Sequence, residues 1–399
     1  MAAQIWGAAV YDGAHAVLIP SLVLLHWEGL RLSCSMRLSK LRSMPISSAA
    51  AVCERLHAEQ EFGVALEIWE GYAVDPEIRS KASSGGLMTA LSLFCLESEG
   101  MQFAVHTGID ESIPWHNRTV TSRNRAELLE RTGSRYAPSA RCDGLQKIEE
   151  SDGPCVFVGK PCDSAAVMAL RQTRPSLDAK LGLVLTFFCA GTPSTEGTLR
   201  LMMEMGYRKE DVTSVRYRGN GWPGRFTVGT RTLEAEPRTM TYAESWGKLT
   251  GYRPLRCNLC PDGLGRLSDL ACGYAWESYD GAETGDPGRS LVLIRTERGR
   301  ELLRRAREAG VVTLECVDPA AVMEAQNNLL RRRRELHGRL LGLKAVGMKT
   351  PRFAGMSLPE SWWKLSVKVK AQTVLGKVRK AVKRDWWRKT ESERWRAGA

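Results

Sequence analysis

The sequence lacks a hydrophobic run long enough to cross a membrane, which takes roughly 18 to 20 consecutive apolar residues. The best candidate, AVLIPSLVLLHW at residues 16–27, is too short and contains a proline. The same segment has no basic leader and no small-residue cleavage site, so it does not match a signal peptide. These absences predict a cytoplasmic protein, and the C-terminal tail described below leaves open a peripheral position at a membrane.

The sequence also lacks the features of a disulfide-stabilised secreted protein. Its eleven cysteines are odd in number and are spread over 399 residues with no export signal. A framework of disulfides is therefore not expected. The pattern instead predicts thiols that are buried, catalytic or bound to metal.

Excess positive charge is missing from most of the chain and is concentrated at its C-terminal end. Residues 361–399 carry a net charge of +9 (12 Lys and Arg against 3 Asp and Glu), and the rest carries +3 (45 against 42). A nucleic-acid partner is not expected, because the body supplies little positive field. The tail interleaves basic residues with apolar ones and with Trp362, Trp363, Trp386 and Trp387. It is predicted to lie on an anionic membrane surface, to dock an acidic partner, or to pack on its own domain.

The fold class follows from the periodicity of residues 154–205. Strand patterns at 154–159 and 181–188 alternate with helix patterns at 163–172 and 195–205, which indicates parallel strands joined by crossover helices. Short strand patterns over 212–252 suggest an antiparallel insert, and residues 320–342 are predicted to form one long amphipathic helix. The predicted fold is α/β, with a mixed, partly parallel sheet, helices on its faces, the β insert and a C-terminal helical tail.

The motif RCNLC at residues 256–260 places Cys257 and Cys260 two residues apart in a loop rich in Pro and Gly. A zinc site needs a second ligand pair nearby, which the sequence does not offer, and a thioredoxin-type dithiol belongs between a strand and a helix. Two interpretations stay open. The pair fills the core, or it binds an iron-sulfur cluster together with Cys162 and Cys189, which follow the carboxyl ends of two predicted strands.

Two loops have compositions that suit an anionic ligand. SKASSGGL at residues 80–87 places hydroxyls and glycines ahead of a helix, so that backbone amides and the positive helix end can approach a negative group. TGSRYAPS at residues 132–139 adds Arg135 as a phosphate partner and Tyr136 as a stacking ring. An ordinary N-cap loop and an ordinary turn remain the alternatives. His106 and His116 fit structural roles better than catalytic ones.

Together these segments resemble the coenzyme F420 hydrogenase/dehydrogenase beta-subunit family, which includes F420-reducing hydrogenase subunits and ferredoxin-dependent reductases. The likeness runs collinearly over about residues 70–300. Its motifs are RSKASSGG, TGSRYAPS, VFVGKPCDSAAV, FFCAGTPS, YRGNGWPG, RCNLCPDGLGRLSDL and SLVLIRT. The dense cysteine run that many members carry near the N-terminus is absent here, so the resemblance implies one cluster rather than two.

The resemblance implies FAD and one 4Fe-4S cluster as cofactors. The implied cluster ligands are Cys162, Cys189, Cys257 and Cys260. The implied flavin site comprises Ser80, Lys81, Ser83, Ser84, Gly85, Gly86, Ser134, Arg135, Tyr136, Gly159 and Lys160. Lys160 is the catalytic candidate, since its charge would lie near the reduced flavin.

The implied function couples hydride transfer at the flavin, with F420 as the hydride carrier, to one-electron transfer through the cluster. The implied partner is a ferredoxin or a hydrogenase/dehydrogenase subunit. Two alternatives stay open: a ferredoxin-dependent reductase of another small organic substrate, and a zinc-stabilised binding module with no enzymatic activity. The predicted organisation is a variable leader (1–69), an N-terminal region with the flavin-binding loops (70–150), a C-terminal region with the cluster cysteines (151–344) and the basic tail (345–399).

Overall fold

The structure is a computed structural model that describes residues 57–231, 238–275 and 288–384. Most of the predicted leader, together with Trp386 and Trp387 of the tail, lies outside the described residues. The strands are β1 (Glu67–Ala73), β2 (Ala104–Ile109), β3 (Asn117–Ser122), β4 (Cys155–Gly159), β5 (Leu181–Phe187), β6 (Val212–Arg216), β7 (Arg225–Thr230), β8 (Thr239–Thr241), β9 (Leu270–Tyr274), β10 (Ser290–Ile294) and β11 (Val312–Cys316).

Fifteen helices have both ends within the described residues. They are α1 (Pro76–Lys81), α2 (Leu87–Glu97), α3 (Arg125–Glu130), α4 (Leu145–Glu149), α5 (Pro161–Leu170), α6 (Pro175–Lys180), α7 (Thr195–Glu204), α8 (Tyr242–Leu249), α9 (Leu255–Asn258), α10 (Glu297–Glu308), α11 (Pro319–Ala325), α12 (Asn327–Arg334), α13 (Leu336–Ala345), α14 (Leu358–Trp363) and α15 (Val367–Lys383). Within the described ranges, no helix is long and apolar enough to cross a membrane.

The chain divides into two compact units. The first, called here the sheet unit, comprises Phe62–Asn258 and Asp262–Leu329. The second, called here the helical unit, comprises, among the described residues, 57–61, Leu259–Pro261 and 330–384.

The sheet unit is built on a mixed eight-stranded sheet in the order β11-β1-β10-β9-β5-β4-β2-β3. Strands β2, β4, β5 and β9 run parallel, and the other neighbours pair antiparallel. The central strands β4 and β5 are apolar on both faces, with Val156, Phe157 and Leu183 fully buried. Such two-sided burial is expected of parallel strands covered by helices. The predicted α/β class and its partly parallel sheet are confirmed.

A separate three-stranded antiparallel sheet, in the order β6-β7-β8, confirms the predicted insert. The prediction of one helix over residues 320–342 is wrong, because that segment contains α11, α12 and α13. The break between α11 and α12 falls at Gln326, which is buried and donates its side-chain amide to the carbonyl of Tyr274 at 2.6 Å. This tertiary contact accompanies the break, and sequence periodicity does not report it.

The basic tail forms helices α14 and α15 of the helical unit. Helix α15 packs against α13, which precedes the tail in the chain. Gly338 and Gly342 let the two helices approach closely: a Cβ at Gly342 would lie 2.5 Å from the Val374 carbonyl oxygen. The indole Nε1 of Trp362 donates to the Thr373 hydroxyl at 3.1 Å. One face of α15 is therefore packed inside this unit, with Lys377 and Ala381 buried there.

Lys377 is a buried cation, with 7% of its surface exposed. Burial, aided by the charge of Arg339, lowers the pKa of its ammonium to about 7. Between that value and the ordinary 10.5, the unfolded chain binds a proton that the folded chain does not. The free energy of unfolding therefore rises with pH through this window.

We expect Lys377→Met to stabilise the protein most at acidic pH, where the folded state buries a full charge at a cost on the order of 5 kcal/mol, since one pKa unit is about 1.4 kcal/mol. Thermal unfolding followed against pH should show a gain that shrinks as the pH approaches 10.5. The matched variant Lys368→Met, at an exposed position of the same helix, should show no such dependence. A gain from Lys377→Met that stays constant with pH would contradict this account of the buried ammonium.

Candidate functional site

A cavity of ≈ 630 Å³ opens in the sheet unit beside the carboxyl ends of β4, β5 and β9. Open α/β sheets bind ligands at this edge, and cavities of about 300–1,000 Å³ are typical of small-molecule sites. Its walls include the start of α2, the two Ser-rich loops, the ends of these strands and the α11–α12 junction. The lining residues include Ser83, Ser84, Gly86, Met88, Thr89, His106, Arg131, Ser134, Arg135, Tyr136, Arg141, Lys160, Phe187, Phe188, Cys189, Cys272, Gly273, Tyr274 and Asn328.

The Ser/Gly loop ahead of α2 is fixed by hydrogen bonds to β10. The Ser84 hydroxyl donates to the Arg289 carbonyl at 2.8 Å and lies 2.7 Å from the Ser290 hydroxyl, which accepts from the Gly85 amide at 2.9 Å. Gly85 is itself packed against backbone: a Cβ there would lie 2.6 Å from the Gly71 carbonyl oxygen. The loop is therefore held rigidly, and Gly85 serves its packing.

Gly86 caps the N-terminus of α2 in the left-handed region, at φ 80°, and offers no side chain to accept from the first helical amides. The first three residues of α2, Leu87, Met88 and Thr89, line the cavity. A helix start leaves its first amides without helical acceptors and carries partial positive charge. This wall of the cavity is therefore suited to a negatively charged group.

The second loop is tied to the first by one short bond. The Ser134 amide donates to the Ser83 hydroxyl at 2.6 Å, and the Ser134 hydroxyl lies 3.1 Å from that of Tyr274. Arg135 donates to the carbonyls of Pro114, His116 and Val215, at 2.9–3.2 Å. The Arg135 guanidinium therefore clamps backbone behind the cavity wall.

Aromatic rings form another part of the wall. Tyr136 packs against Trp246, with ring centroids 4.8 Å apart, and against Tyr217 at 5.6 Å. The fully buried guanidinium of Arg218 lies between two further rings, 4.0 Å from the centroid of Tyr242 and 4.3 Å from that of Tyr274. Stacking of this kind holds the rings rigidly around a buried positive charge.

The charge of the cavity wall is positive. Its described lining residues include four cations, Arg131, Arg135, Arg141 and Lys160, and one carboxylate, Glu324. Lys160 is 4% exposed. Lys160 and Arg135 were predicted from the sequence as site residues, whereas Arg131 and Arg141 were not.

Lys160 and Arg141 share one carboxylate just behind the wall. The Asp163 Oδ2 lies 2.8 Å from the Lys160 ammonium and 2.9 Å from the Arg141 guanidinium. Burial opposes ionisation of Asp163, yet the two cations hold the pKa of its carboxyl below the ordinary value. Two cations against one anion leave this group with a net charge of about +1.

His106 lines the cavity as a neutral ring. Its Nε2 lies 2.8 Å from the Ser122 hydroxyl and its Nδ1 lies 3.2 Å from the Thr107 carbonyl oxygen. Because a carbonyl only accepts, we assign the proton to Nδ1. Burial lowers the pKa of His106 to about 4. These contacts agree with a structural role, and His116 is not among the lining residues.

Two of the four candidate ligand cysteines lie close to Gly191, and one of them, Cys189, lines the cavity. The Gly191 amide donates to the Cys189 Sγ at 3.4 Å, and a Cβ at Gly191 would lie 3.2 Å from the Cβ of Cys257. Arg253 donates to the Ala190 carbonyl at 2.8 Å, which brings a cation to the same turn. Amide donors and a nearby cation stabilise thiolates and the clusters that they hold.

The other two cysteines are placed differently. Cys162 is the second residue of α5, and its Sγ lies 3.9 Å from the Asp163 Oδ1. Cys260 belongs to the helical unit. Across the described ranges, no three His, Cys, Asp or Glu side chains form a group that could hold a metal ion.

The predicted flavin residues divide into two sets. Seven of them line the cavity: Ser83, Ser84, Gly86, Ser134, Arg135, Tyr136 and Lys160. Four lie outside its lining: Ser80, Lys81, Gly85 and Gly159. Lys81 pairs with Glu77 at 2.9 Å on an exposed surface. The lining residues His106, Arg131, Arg141 and Tyr274 were missed, because each reaches the cavity from a segment without a local motif.

The sheet order and the cavity at its carboxyl edge define an α/β protein with a small-molecule cavity whose lining carries several cationic and aromatic side chains. Residues 68–145 match the N-terminal part of the family described as coenzyme F420 hydrogenase/dehydrogenase, beta subunit, and residues 154–320 match the C-terminal part of the same family. The chain belongs to the coenzyme F420 hydrogenase/dehydrogenase beta-subunit family.

Individual relatives agree with this placement. The chain is 25% identical over 258 residues to a coenzyme F420 hydrogenase subunit beta from Methanococcus voltae, covering 62% of this chain and 82% of that protein. It is 26% identical over 260 residues to an F420-dependent formate dehydrogenase subunit beta from Methanococcus maripaludis, covering 63% and 62%. These relatives are oxidoreductase subunits.

A solved structure shares the fold. A chain of the F420-reducing [NiFe] hydrogenase complex from Methanosarcina barkeri superposes with a TM-score of 0.57 at 22% identity, covering 73% of this chain and 97% of that one.

Proposed function

We propose that this protein is an FAD-dependent oxidoreductase that exchanges a hydride with coenzyme F420 and works with a redox partner, either a hydrogenase/dehydrogenase subunit or a ferredoxin. The observation that carries the proposal is the basic, aromatic-walled cavity of ≈ 630 Å³ at the carboxyl edge of the sheet. Its occurrence in a chain related to F420-dependent oxidoreductase subunits selects a redox cofactor as the ligand.

The residues present fit FAD. The diphosphate would bind at the start of α2, where Gly86 provides no side-chain cap. The Ser83–Ser134 hydrogen bond lies beside this position. Amides at a helix start bind anions. Tyr136 and Phe187 offer apolar ring surface for the isoalloxazine or the adenine. Bound flavin supplies the exchange between a hydride and single electrons.

The charged residues would serve the reduced state of the cofactor. A buried lysine with net positive surroundings favours negative charge developing nearby. Lys160 is held against Asp163, so its ammonium is fixed in position rather than mobile. We therefore assign Lys160 to electrostatic stabilisation and orientation, while neutral His106 carries no charge into the site at neutral pH.

We further propose that Cys162, Cys189, Cys257 and Cys260 hold one 4Fe-4S cluster. The support is the Cys189–Cys257 pair across Gly191, with its amide donor. Within the described ranges, no three candidate ligands form a group that could hold a metal ion.

The content of the purified protein tests this proposal. Protein isolated without air should be brown-yellow, should release FAD on denaturation and should contain iron. A colourless preparation that contains zinc and neither flavin nor iron would contradict the proposal and would favour a zinc-stabilised binding module.

A further inference from the structure

We propose that the outer face of α15 is a docking surface for a membrane that contains acidic phospholipids. This surface consists of Val367, Lys368, Leu375, Arg379, Val382 and Lys383, with Trp363 of α14 beside it. It lies in the helical unit and is separate from the cavity residues used above.

The apolar part of the surface is exposed to an unusual degree. The exposed fraction is 79% for Val367, 66% for Leu375 and 50% for Val382, and Trp363 is 72% exposed. At about 100° per residue, Val367, Leu375 and Val382 fall within an arc of about 80° around the axis of α15. A stripe of this kind matches a helix that lies in a membrane interface with its apolar side down.

The flank of that stripe is basic. Lys368, Arg379 and Lys383 are exposed and follow the apolar arc on one side of the helix, within about 60° of one another. Residues 361–384 contain eight Lys and Arg and no Asp or Glu. The exposed cations Lys368, Arg379 and Lys383 therefore give this side of the helix a positive potential that favours an anionic surface.

The Lys370 side chain fixes the neighbouring indole. Its ammonium donates to the Trp363 carbonyl at 2.9 Å and lies 4.6 Å from the Trp363 ring centroid. Trp side chains favour the level of the lipid headgroups, because the ring is apolar and its N–H is polar. Exposed Trp, an apolar stripe and flanking cations together favour a bilayer over an acidic protein, which would be recognised mainly by charge.

Co-sedimentation of the full chain with vesicles tests the proposal. Vesicles of phosphatidylcholine with phosphatidylglycerol should bind the protein, vesicles of phosphatidylcholine alone should bind far less, and added salt should weaken binding. The double variant Lys368→Glu/Arg379→Glu should bind about 25-fold more weakly, at roughly fivefold per removed cation. Val367→Glu/Leu375→Glu should lose at least about tenfold through the apolar contact.

Matched controls lie on the sheet unit. Met203, 69% exposed on α7, and Arg208, whose side chain is 79% exposed, give the variants Met203→Glu and Arg208→Glu. Both should bind vesicles as the unsubstituted chain does. Equal binding by all variants would overturn the assignment to α15. The unsubstituted chain could instead fail to bind vesicles and be retained on immobilised polyglutamate. That result would overturn the membrane proposal in favour of an acidic protein partner.

Discussion

Cys189→Ser and Cys257→Ser are each expected to lose most of the cluster iron, whereas Cys95→Ala is expected to retain it. An iron-sulfur cluster is held by thiolates, and Cys189 and Cys257 flank one turn whose Gly191 amide already points to sulfur. Cys95 is the matched control, since it is fully buried in α2 and burial raises the pKa of its thiol to about 12. It therefore stays a neutral core thiol at physiological pH.

The measurement is iron and acid-labile sulfide per chain after anaerobic purification. Flavin content, measured on the same samples, separates loss of the cluster from loss of the fold. The same iron content in all three variants would contradict the ligand assignment. Cys162→Ser extends the test to a thiol that the structure places on α5 beside Asp163.

Gly86→Ala is expected to weaken FAD binding by about tenfold or more, and Gly100→Ala is expected to leave it unchanged. Both glycines flank α2 and both have positive φ, 80° and 66°. A Cβ at Gly86 would meet the Cβ of Ala73 at 3.1 Å, whereas one at Gly100 would meet nothing within 4 Å. Both variants carry the backbone strain, about 1–2 kcal/mol. Gly86→Ala is also expected to displace the start of α2 from the cavity. A loss of about 1.4 kcal/mol in anion binding raises the Kd for FAD about tenfold.

Equilibrium binding of FAD to flavin-depleted protein measures the effect, and thermal unfolding monitors the shared strain. Similar FAD affinities for the two variants would show that the start of α2 does not contact the ligand. A loss of affinity in both, in proportion to their loss of stability, would show a general effect of the strain.

The sequence predicted those parts of the site that depend on local pattern. The strand-loop-helix alternation placed Lys160 and Cys189 at strand ends, and the Ser/Gly composition marked the loop before α2. These signals succeed because strand burial, helix starts and glycine conformation are decided within a few neighbouring residues. The mixed sheet, its antiparallel insert and the helical tail are confirmed for the same reason.

The rest of the site depends on contacts between distant segments. Arg141 enters the wall through Asp163, 22 residues away, and His106 is held by Ser122, 16 residues away. The break in the predicted long helix lies at Gln326, whose side chain is bonded to Tyr274, 52 residues away. No periodicity records such partners, so a single sequence cannot supply them.

Anaerobic titration of the FAD-loaded protein with reduced coenzyme F420 tests the central claim most directly. We expect reduced F420 to bleach the visible absorbance of the bound flavin, and oxidised F420 to restore it. Lys160→Met should slow or shift this exchange. Lys180→Met, at a partly exposed lysine that is bonded to the Asp152 carbonyl and lies outside the cavity lining, should leave it unchanged. The contrary result would be a flavin that reduced ferredoxin bleaches and reduced F420 does not. That result would contradict the assignment of F420 as the hydride carrier.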